Sequence, residues 1–256
     1  MDLIVSSHLD DAVLSCGGRI ASASRKGRQR VVVTVFAAPA PLNPTSLLAR
    51  QYHRLMGFDD PQLRRREDMA ALARLGARAV HLDHLDCIYR RRDDGAPLVV
   101  DEKDIFRSEI AAEAGLLLAI ERDLAATALR CRPRRLLAPL AAGGHRDHVF
   151  ARHAAEATAE AIGPALELVY YEDVPYVIAE PRCAIETSHG MVEEIYHLSE
   201  EELQDRLDAV RQYRSQRQVL WHDGSSLLPS IASFARHVGG GTPAERYWRG
   251  SSTRAR

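Results

Sequence analysis

Leu3-Ile4-Val5-Ser6-Ser7-His8-Leu9-Asp10-Asp11-Ala12-Val13-Leu14-Ser15-Cys16-Gly17-Gly18 decides how the rest of the chain reads. The apolar run from Leu3 to Val5 predicts a short strand buried on both faces. It stops abruptly at one imidazole and two carboxylates. Ala12, Val13, Leu14, Ile20 and Ala21 then recur at helical spacing and predict a helix running to Arg25, with Asp11 near its start. A strand that ends in His-x-Asp-Asp is a poor core element but a good way to hold a metal at the carboxyl end of a sheet. We read His8 and Asp11 as metal ligands and Asp10, between them, as the proton-transfer group. A third ligand has to come from elsewhere. His148, in Gly144-His145-Arg146-Asp147-His148, supplies it.

Outward from that stretch, strands and helices alternate. Arg30–Phe36 (RVVVTVF) is continuous, β-branched and reads as a strand buried on both faces. Helices are expected over 46–55 and 62–75, the second stopping at Gly76. A short strand over 79–82 follows, then an irregular charged stretch, 83–103. A long helix is expected over 104–129, a strand over 135–140, a helix over 148–162 and a strand over 166–171. This alternation predicts a Rossmann-like α/β fold, a doubly wound, mostly parallel sheet with helices on both faces. Both polar clusters directly follow strands, and in such sheets ligands bind outside the carboxyl ends of strands. The two clusters can therefore meet in space.

After Glu172 the pattern loosens. A loop over 173–190, a strand over 191–197 and one helix over 199–220, opened by Ser199 and Glu202 as a capping box, are expected. The tail from His222 is rich in Gly, Ser and Arg and reads as loose, with frayed ends over 251–256. The whole chain, 1–256, reads as one α/β domain, with a core to about residue 171 and 172–256 as its extension.

A catalytic zinc site usually has three protein ligands and keeps one position for water. His8, Asp11 and His148 make such a set. The metal would lower the pKa of its water from ~16 towards ~7, and Asp10 would take the proton as the nucleophile forms. A protonated His145 would stabilise the oxyanion or protonate the leaving group, with Asp147 orienting it through its other ring nitrogen. Fe2+ fits a His2Asp set as well as Zn2+.

Composition narrows the partners. Of 256 residues 46% are hydrophobic, enough for a sizeable core, and the formal net charge of -1 gives no sign of a nucleic-acid or anionic-membrane partner. Four scattered cysteines contain no C-x-x-C pair, which fits free thiols in a reducing compartment. There is no leader-like start and no apolar run of the ~20 residues that would span a bilayer. The expectation is a cytoplasmic protein with no membrane partner and with a homo-oligomer left open.

Residues 7–18 resemble the P-H-P-D-D-E-x-x-x-G-G signature of the PIG-L/LmbE-like N-deacetylases, and residues 145–148 resemble their H-x-D-H signature. A looser third pattern covers Arg64 to Gly76, with Glu67 inside it. The resemblance implies a divalent-metal hydrolase, usually zinc, that removes acyl groups, typically acetyl, from small-molecule amino-sugar conjugates. It implies the same ligands, with Asp10 as base and His145 as oxyanion helper. Leu9 and Ala12 replace the usual Pro and Glu without touching a ligand. Gly143 and Gly144 stand where some relatives carry a carbonyl-polarising tyrosine, so that help has to come from His145 or from another residue such as Tyr89 or Tyr171.

The resemblance also places an Asp near the substrate after the third strand. Asp86 fits, with Tyr89 and Arg90 behind it. Arg64 reads as a clamp on a sugar hydroxyl or phosphate, or simply as a solvated helix start. His81, Asp83, His84, Asp86 and Cys87 form a rival metal cluster. Ser15-Cys16-Gly17-Gly18 is not a nucleophile elbow, and its glycines suit close helix–sheet packing. Two other functions stay open: the same metal site cutting a carbamoyl, another amide or a phosphate ester, and a non-catalytic metal- or sugar-binding module.

Overall fold

The structure is a computed structural model that describes residues 1–107, 109–220 and 226–250. Strands β1 (Asp2–Ser6) and β2 (Arg30–Thr34) lie parallel, with Leu3 beside Val31 and Val5 beside Val33, and every residue of both is buried. That double burial is why both read as unbroken apolar runs rather than alternating ones. Helix α1 (Asp11–Arg25) joins them. Helices α2 (Leu47–Met56) and α3 (Leu63–Arg74) lead to β3 (Arg78–His81), parallel to β2. The chain then returns through the short α4 (Glu102–Ile105) and the long α5 (Ala114–Cys131) to β4 (Arg135–Pro139), which pairs with the other side of β1. Helix α6 (Arg146–Ile162) connects β4 to β5 (Glu167–Tyr171), again in parallel.

Two further strands close the sheet. After α7 (Tyr176–Ala179) and α8 (Arg182–Thr187) come β6 (Met191–His197), α9 (Glu200–Val210), α10 (Arg217–Leu220), α11 (Leu227–Val238) and β7 (Ala244–Gly250). The seven-stranded order is β3-β2-β1-β4-β5-β7-β6, with β7 antiparallel to both neighbours. The expected doubly wound, mostly parallel α/β sheet is what the chain forms. Its winding reverses between β1 and β4, so the loops after those two strands open side by side. The core lies between the sheet and its helices. Leu14 and Ile20 of α1, and Phe150, Ala151 and Ala154 of α6, pack with Ile4, Val33 and Leu137 of the strands.

Four segments differ from the sequence reading, the first being the loop expected over 173–190, which holds the short helices α7 and α8. The helix expected over 104–129 starts only at Ala114, because a capping box of Asp101 and Asp104 opens a separate short helix, α4, which stops after Ile105. The helix expected over 199–220 breaks after Val210. There the buried side chains of α3 capture the chain: Glu67 accepts from the Ser215 N–H (3.0 Å) and hydroxyl (2.6 Å), and Asp68 accepts from the Tyr213 hydroxyl (2.7 Å). From Ser226 the tail is not loose: it holds α11 and β7, and Gly239 to Gly241 turn between them, while 222–225 lie outside the described residues. The fraying expected over 251–256 lies outside the described residues.

Gly17 and Gly18 have a specific cause. The Gly18 N–H and the Leu14 carbonyl are the donor and acceptor of one step of a regular helix. Here the Gly18 N–H donates to Glu245 Oε1 (2.8 Å), the Arg19 N–H donates to Glu245 Oε2 (3.0 Å), and Arg206 donates to the Leu14 carbonyl through Nε (3.1 Å) and a terminal nitrogen. Arg206 and Glu245 are themselves 3.3 Å apart and buried. An ion pair from α9 and β7 thus seats against the backbone of α1. A Cβ on Gly17 would lie 2.7 Å from the Arg206 Cγ, and one on Gly18 would lie 2.4 Å from a Leu198 methyl. Only glycine leaves that room.

Candidate metal centre and the cavity around it

The loop after β1 is pinned by Ser6. Its hydroxyl donates to the His8 carbonyl (2.7 Å) and accepts from the Ala12 N–H (2.9 Å). The His8 N–H in turn donates to Asp11 Oδ2 (2.7 Å). That same carboxylate oxygen lies 3.3 Å from His8 Nδ1 and 3.3 Å from His148 Nε2. The expected trio of His8, Asp11 and His148 therefore converges on one point, where the loops after β1 and β4 meet.

The far nitrogen of each imidazole is held by a second carboxylate. His8 Nε2 is 3.1 Å from Asp147 Oδ2, and His148 Nδ1 is 2.7 Å from Asp173 Oδ1. An ionised carboxylate only accepts, so each of those nitrogens carries the proton. The opposite nitrogens then face Asp11, and His148 Nε2 is buried without a hydrogen-bond partner. Two imidazole nitrogens at one carboxylate oxygen need positive charge between them, a second proton on each ring or a cation in place of those protons. The same surroundings show in the ionisation: burial disfavours the imidazolium, yet the facing carboxylates outweigh it and raise His8 well above its usual range and His148 to about 9. Asp11 is driven the other way, since His148 and His8 overcome burial and hold it well below the carboxylate range. This donor set fits a divalent cation.

Asp173 was not singled out as a partner of His148 in the sequence, where it only opened the loop expected over 173–190. Its signal is its position just beyond β5, next to β4. Its other oxygen accepts from the Ala142 N–H (2.9 Å), which fixes it.

His145 and Asp147 differ from expectation. His145 is the N-cap of α6, and its Nδ1 accepts from the backbone N–H of Asp147 (3.1 Å). The Asp147 carboxylate does not touch it. It turns instead to His8, to the Cys87 N–H (2.9 Å) and to Arg90 (2.8 Å). The cause is helix geometry: two residues past the cap, the N–H points back at the cap while the side chain points away. His145 Nε2 therefore carries the proton of a neutral ring. Burial, then His8 and His148, push its imidazolium well below the usual range, so the expected protonated His145 is replaced by a neutral N–H donor. A nitrogen of His145 also lies within 4.8 Å of nitrogens of His8 and His148.

Asp10 is buried and lies 4.0 Å from Arg64. Burial, then the neighbouring Asp11, push its carboxyl up to about 7 against the opposing pull of Arg64 and His8. Arg64 also reaches Asp86 (3.5 Å), and Asp86 lies 3.8 Å from His8 Nε2. Arg64 and Asp86 thus stand in the site. The Tyr89 hydroxyl instead meets His53 Nε2 (2.8 Å), and Tyr89 is not among the residues that line the cavity. The Tyr171 hydroxyl donates to the Val5 carbonyl inside the core (2.8 Å). The tyrosine beside the imidazoles is Tyr176, perpendicular to the His148 ring at 5.4 Å. It fills the space at Gly143, whose φ is +85° and where a Cβ would lie 2.9 Å from the Tyr176 Cβ. The rival cluster disperses: His81 pairs with Asp68, His84 with Asp123, and Cys87 is fully buried.

A cavity of about 700 Å³ opens over this centre. Among the described residues, His8, Asp10, Asp11, Arg64, Asp86 and His145 form its polar floor.

The profile of the GlcNAc-PI de-N-acetylase (PIG-L) family matches residues 3–159. The 2'-N-acetylparomamine deacetylase of Streptomyces fradiae is 33% identical over 177 residues, which is 68% of this chain and 57% of that protein. The chain thus spans little more than half the length of this curated relative. Among solved structures, the zinc-inhibited form of a teicoplanin deacetylase superposes with a TM-score of 0.86 at 28% identity, over 98% of this chain and 99% of that one. The deacetylase of A40926 pseudoaglycone superposes with a TM-score of 0.78 at 30% identity, over 97% and 96%. An N,N'-diacetylchitobiose deacetylase from Pyrococcus horikoshii, 19% identical with a TM-score of 0.59 over 96% and 82%, shares the fold.

Proposed function

Since the chain belongs to the PIG-L family of GlcNAc-PI de-N-acetylases, we propose that it is a metal-dependent N-deacetylase of a small-molecule amino-sugar conjugate. The observation that carries this reading is the Asp11 oxygen flanked at 3.3 Å by a nitrogen of each of two imidazoles, with a further buried carboxylate, Asp10, beside it and not committed to either imidazole. The names of the relatives, which act on teicoplanin and on an acetylated paromamine, support the amino-sugar class. Among the described residues, no helix is long and apolar enough to cross a membrane.

His8, Asp11 and His148 would hold the cation, which when bound polarises an amide carbonyl and acidifies a water. Asp10 accepts a proton from the attacking water. The Nε2–H of His145 donates to the oxyanion that develops on the carbonyl oxygen. Asp10 then returns its proton to the departing nitrogen, so that amide and water leave as carboxylate and amine. Arg64, between Asp10 and Asp86, orients the sugar hydroxyls.

The direct test is acetate and amine release from an N-acetylglucosaminide before and after chelation. Activity is expected to vanish with the metal and to return on addition of stoichiometric Zn2+ or Fe2+. Turnover that survives complete chelation would overturn the metal assignment.

Asp147 and Arg90 set the donor state of His8. Asp147→Asn is expected to weaken Zn2+ binding about 10–100-fold, because an amide no longer enforces the Nε2–H tautomer. Competition against a chromogenic chelator measures this without reference to turnover. An unchanged affinity would show that the contact to His8 does not matter for the cation.

A further inference from the structure

Glu113 holds the N-cap position of α5, yet its side chain makes no capping bond. It turns inward, is only 13% exposed, and is shared by two buried arginines. Glu113 Oε1 lies 2.8 Å from Arg90 Nε, and Glu113 Oε2 accepts from a terminal nitrogen of Arg146 (3.1 Å). Arg146 is the variable residue of His145-Arg146-Asp147-His148. Its side chain goes to Glu113 and to the Arg107 carbonyl and does not line the cavity.

Arg90 connects this carboxylate to the metal centre. Its buried guanidinium lies against the rings of Phe36 (5.1 Å) and Phe150 (5.8 Å). One terminal nitrogen donates to the Leu85 carbonyl (3.1 Å), and the other lies 2.8 Å from Asp147 Oδ1. The second oxygen of Asp147 faces His8 Nε2 and accepts from the Cys87 N–H. Charges therefore alternate along Arg146, Glu113, Arg90 and Asp147, and the series ends on the imidazole of His8.

The balance of charge shows what Glu113 does. Two guanidiniums meet two carboxylates, which leaves Asp147 with an oxygen for His8. Without Glu113, two buried cations would have Asp147 as their one nearby carboxylate, and both would attract it. Asp147 would become a poorer acceptor for the His8 Nε2–H, and an incoming divalent cation would meet one more positive charge. We infer that Glu113 is a positioning residue of the metal centre: by holding Arg90 and Arg146 it keeps Asp147 on His8 and lets the site accept a divalent cation. Glu113 touches neither cation nor substrate. The inference rests on the metal-centre reading above and extends it to a residue between α4 and α5.

Asp2 provides the comparison. At the opposite end of β1 it is shared in the same way, by Arg30 (3.1 Å) and Arg135 (2.9 Å). Loss of either carboxylate leaves two arginines short of a partner, but Glu113 is the one joined to His8.

The experiment measures Zn2+ affinity of the folded chain by competition against a chromogenic chelator, with the melting temperature recorded beside it. Glu113→Gln is expected to weaken Zn2+ binding about tenfold. Asp2→Asn is expected to lower the melting temperature and leave the affinity at the wild-type value. Arg146→Met removes a cation and leaves Glu113 to Arg90 alone. It is expected to bind Zn2+ at least as tightly as wild type, and it serves where Glu113→Gln does not fold. Wild-type affinity in Glu113→Gln, an equal loss in Asp2→Asn, or weaker binding by Arg146→Met would each overturn the inference. A wild-type chain that binds no Zn2+ would remove the metal assignment itself, a failure separate from those three. This pattern of affinities without acetate release from any substrate would count against the deacetylase reading and not against Glu113.

Discussion

Asp10→Asn is expected to lower kcat for amide hydrolysis by roughly 10²–10⁴-fold while the protein keeps its metal and its melting temperature. The asparagine fills the same volume at the start of α1, and Asp10 makes no side-chain capping bond that would be lost. What disappears is the ability to take a proton from water. Asp10 is suited to that task by where it sits. It is buried, its carboxyl is pushed up to about 7 by burial and Asp11, and Arg64 at 4.0 Å is the cation that opposes this shift. Metal content by mass spectrometry, measured beside turnover, makes the result decisive. Loss of metal in the variant would turn Asp10 into a ligand, and wild-type turnover would remove it from the chemistry.

Glu245→Gln is expected to destabilise the fold by about 3–5 kcal/mol, because it leaves the Arg206 guanidinium buried beside α1 without its counter-charge. In a chain of this size that corresponds to a fall in melting temperature on the order of 10 °C. Glu245 accepts from two successive N–H groups of α1 and from the Tyr247 hydroxyl (2.7 Å). An amide placed there cannot accept at both ends. The effect reaches function, because α1 carries Asp11 on its first turn. Pairing Glu245→Gln with Arg206→Met is expected to recover part of the loss, since no unpaired charge then remains buried. A single variant as stable as wild type in urea would mean that this ion pair does not hold α1.

The limits of the sequence show at β7. Ala244–Gly250 points Glu245 and Tyr247 inward, and the glutamate hides the strand because its partners, the N–H groups of Gly18 and Arg19, lie more than two hundred positions away. The break after Val210 is hidden for the same reason. Glu67 and Asp68 look like the solvated face of a helix until Ser215 and Tyr213 arrive against them. At the candidate metal centre the meeting of His8, Asp11 and His148 was legible, since His8 follows β1 and Asp11 and His148 lie in the first turns of α1 and α6. The orientation of His145 was not. A cap position and the residue two further on look identical in sequence whether the side chain or the N–H makes the contact.

By itself, then, the sequence determined the five parallel strands and the two polar loops at the winding reversal. Strands buried on both faces must be continuous apolar runs, and a polar cluster that interrupts such a run can only lie at its end. The tertiary structure alone decided the rest. It chose which carboxylate faces which imidazole nitrogen, seated an ion pair against α1 and turned the tail into the sheet. Each of these depends on side chains that approach from distant segments, and the energy of such a contact leaves no local period in the chain.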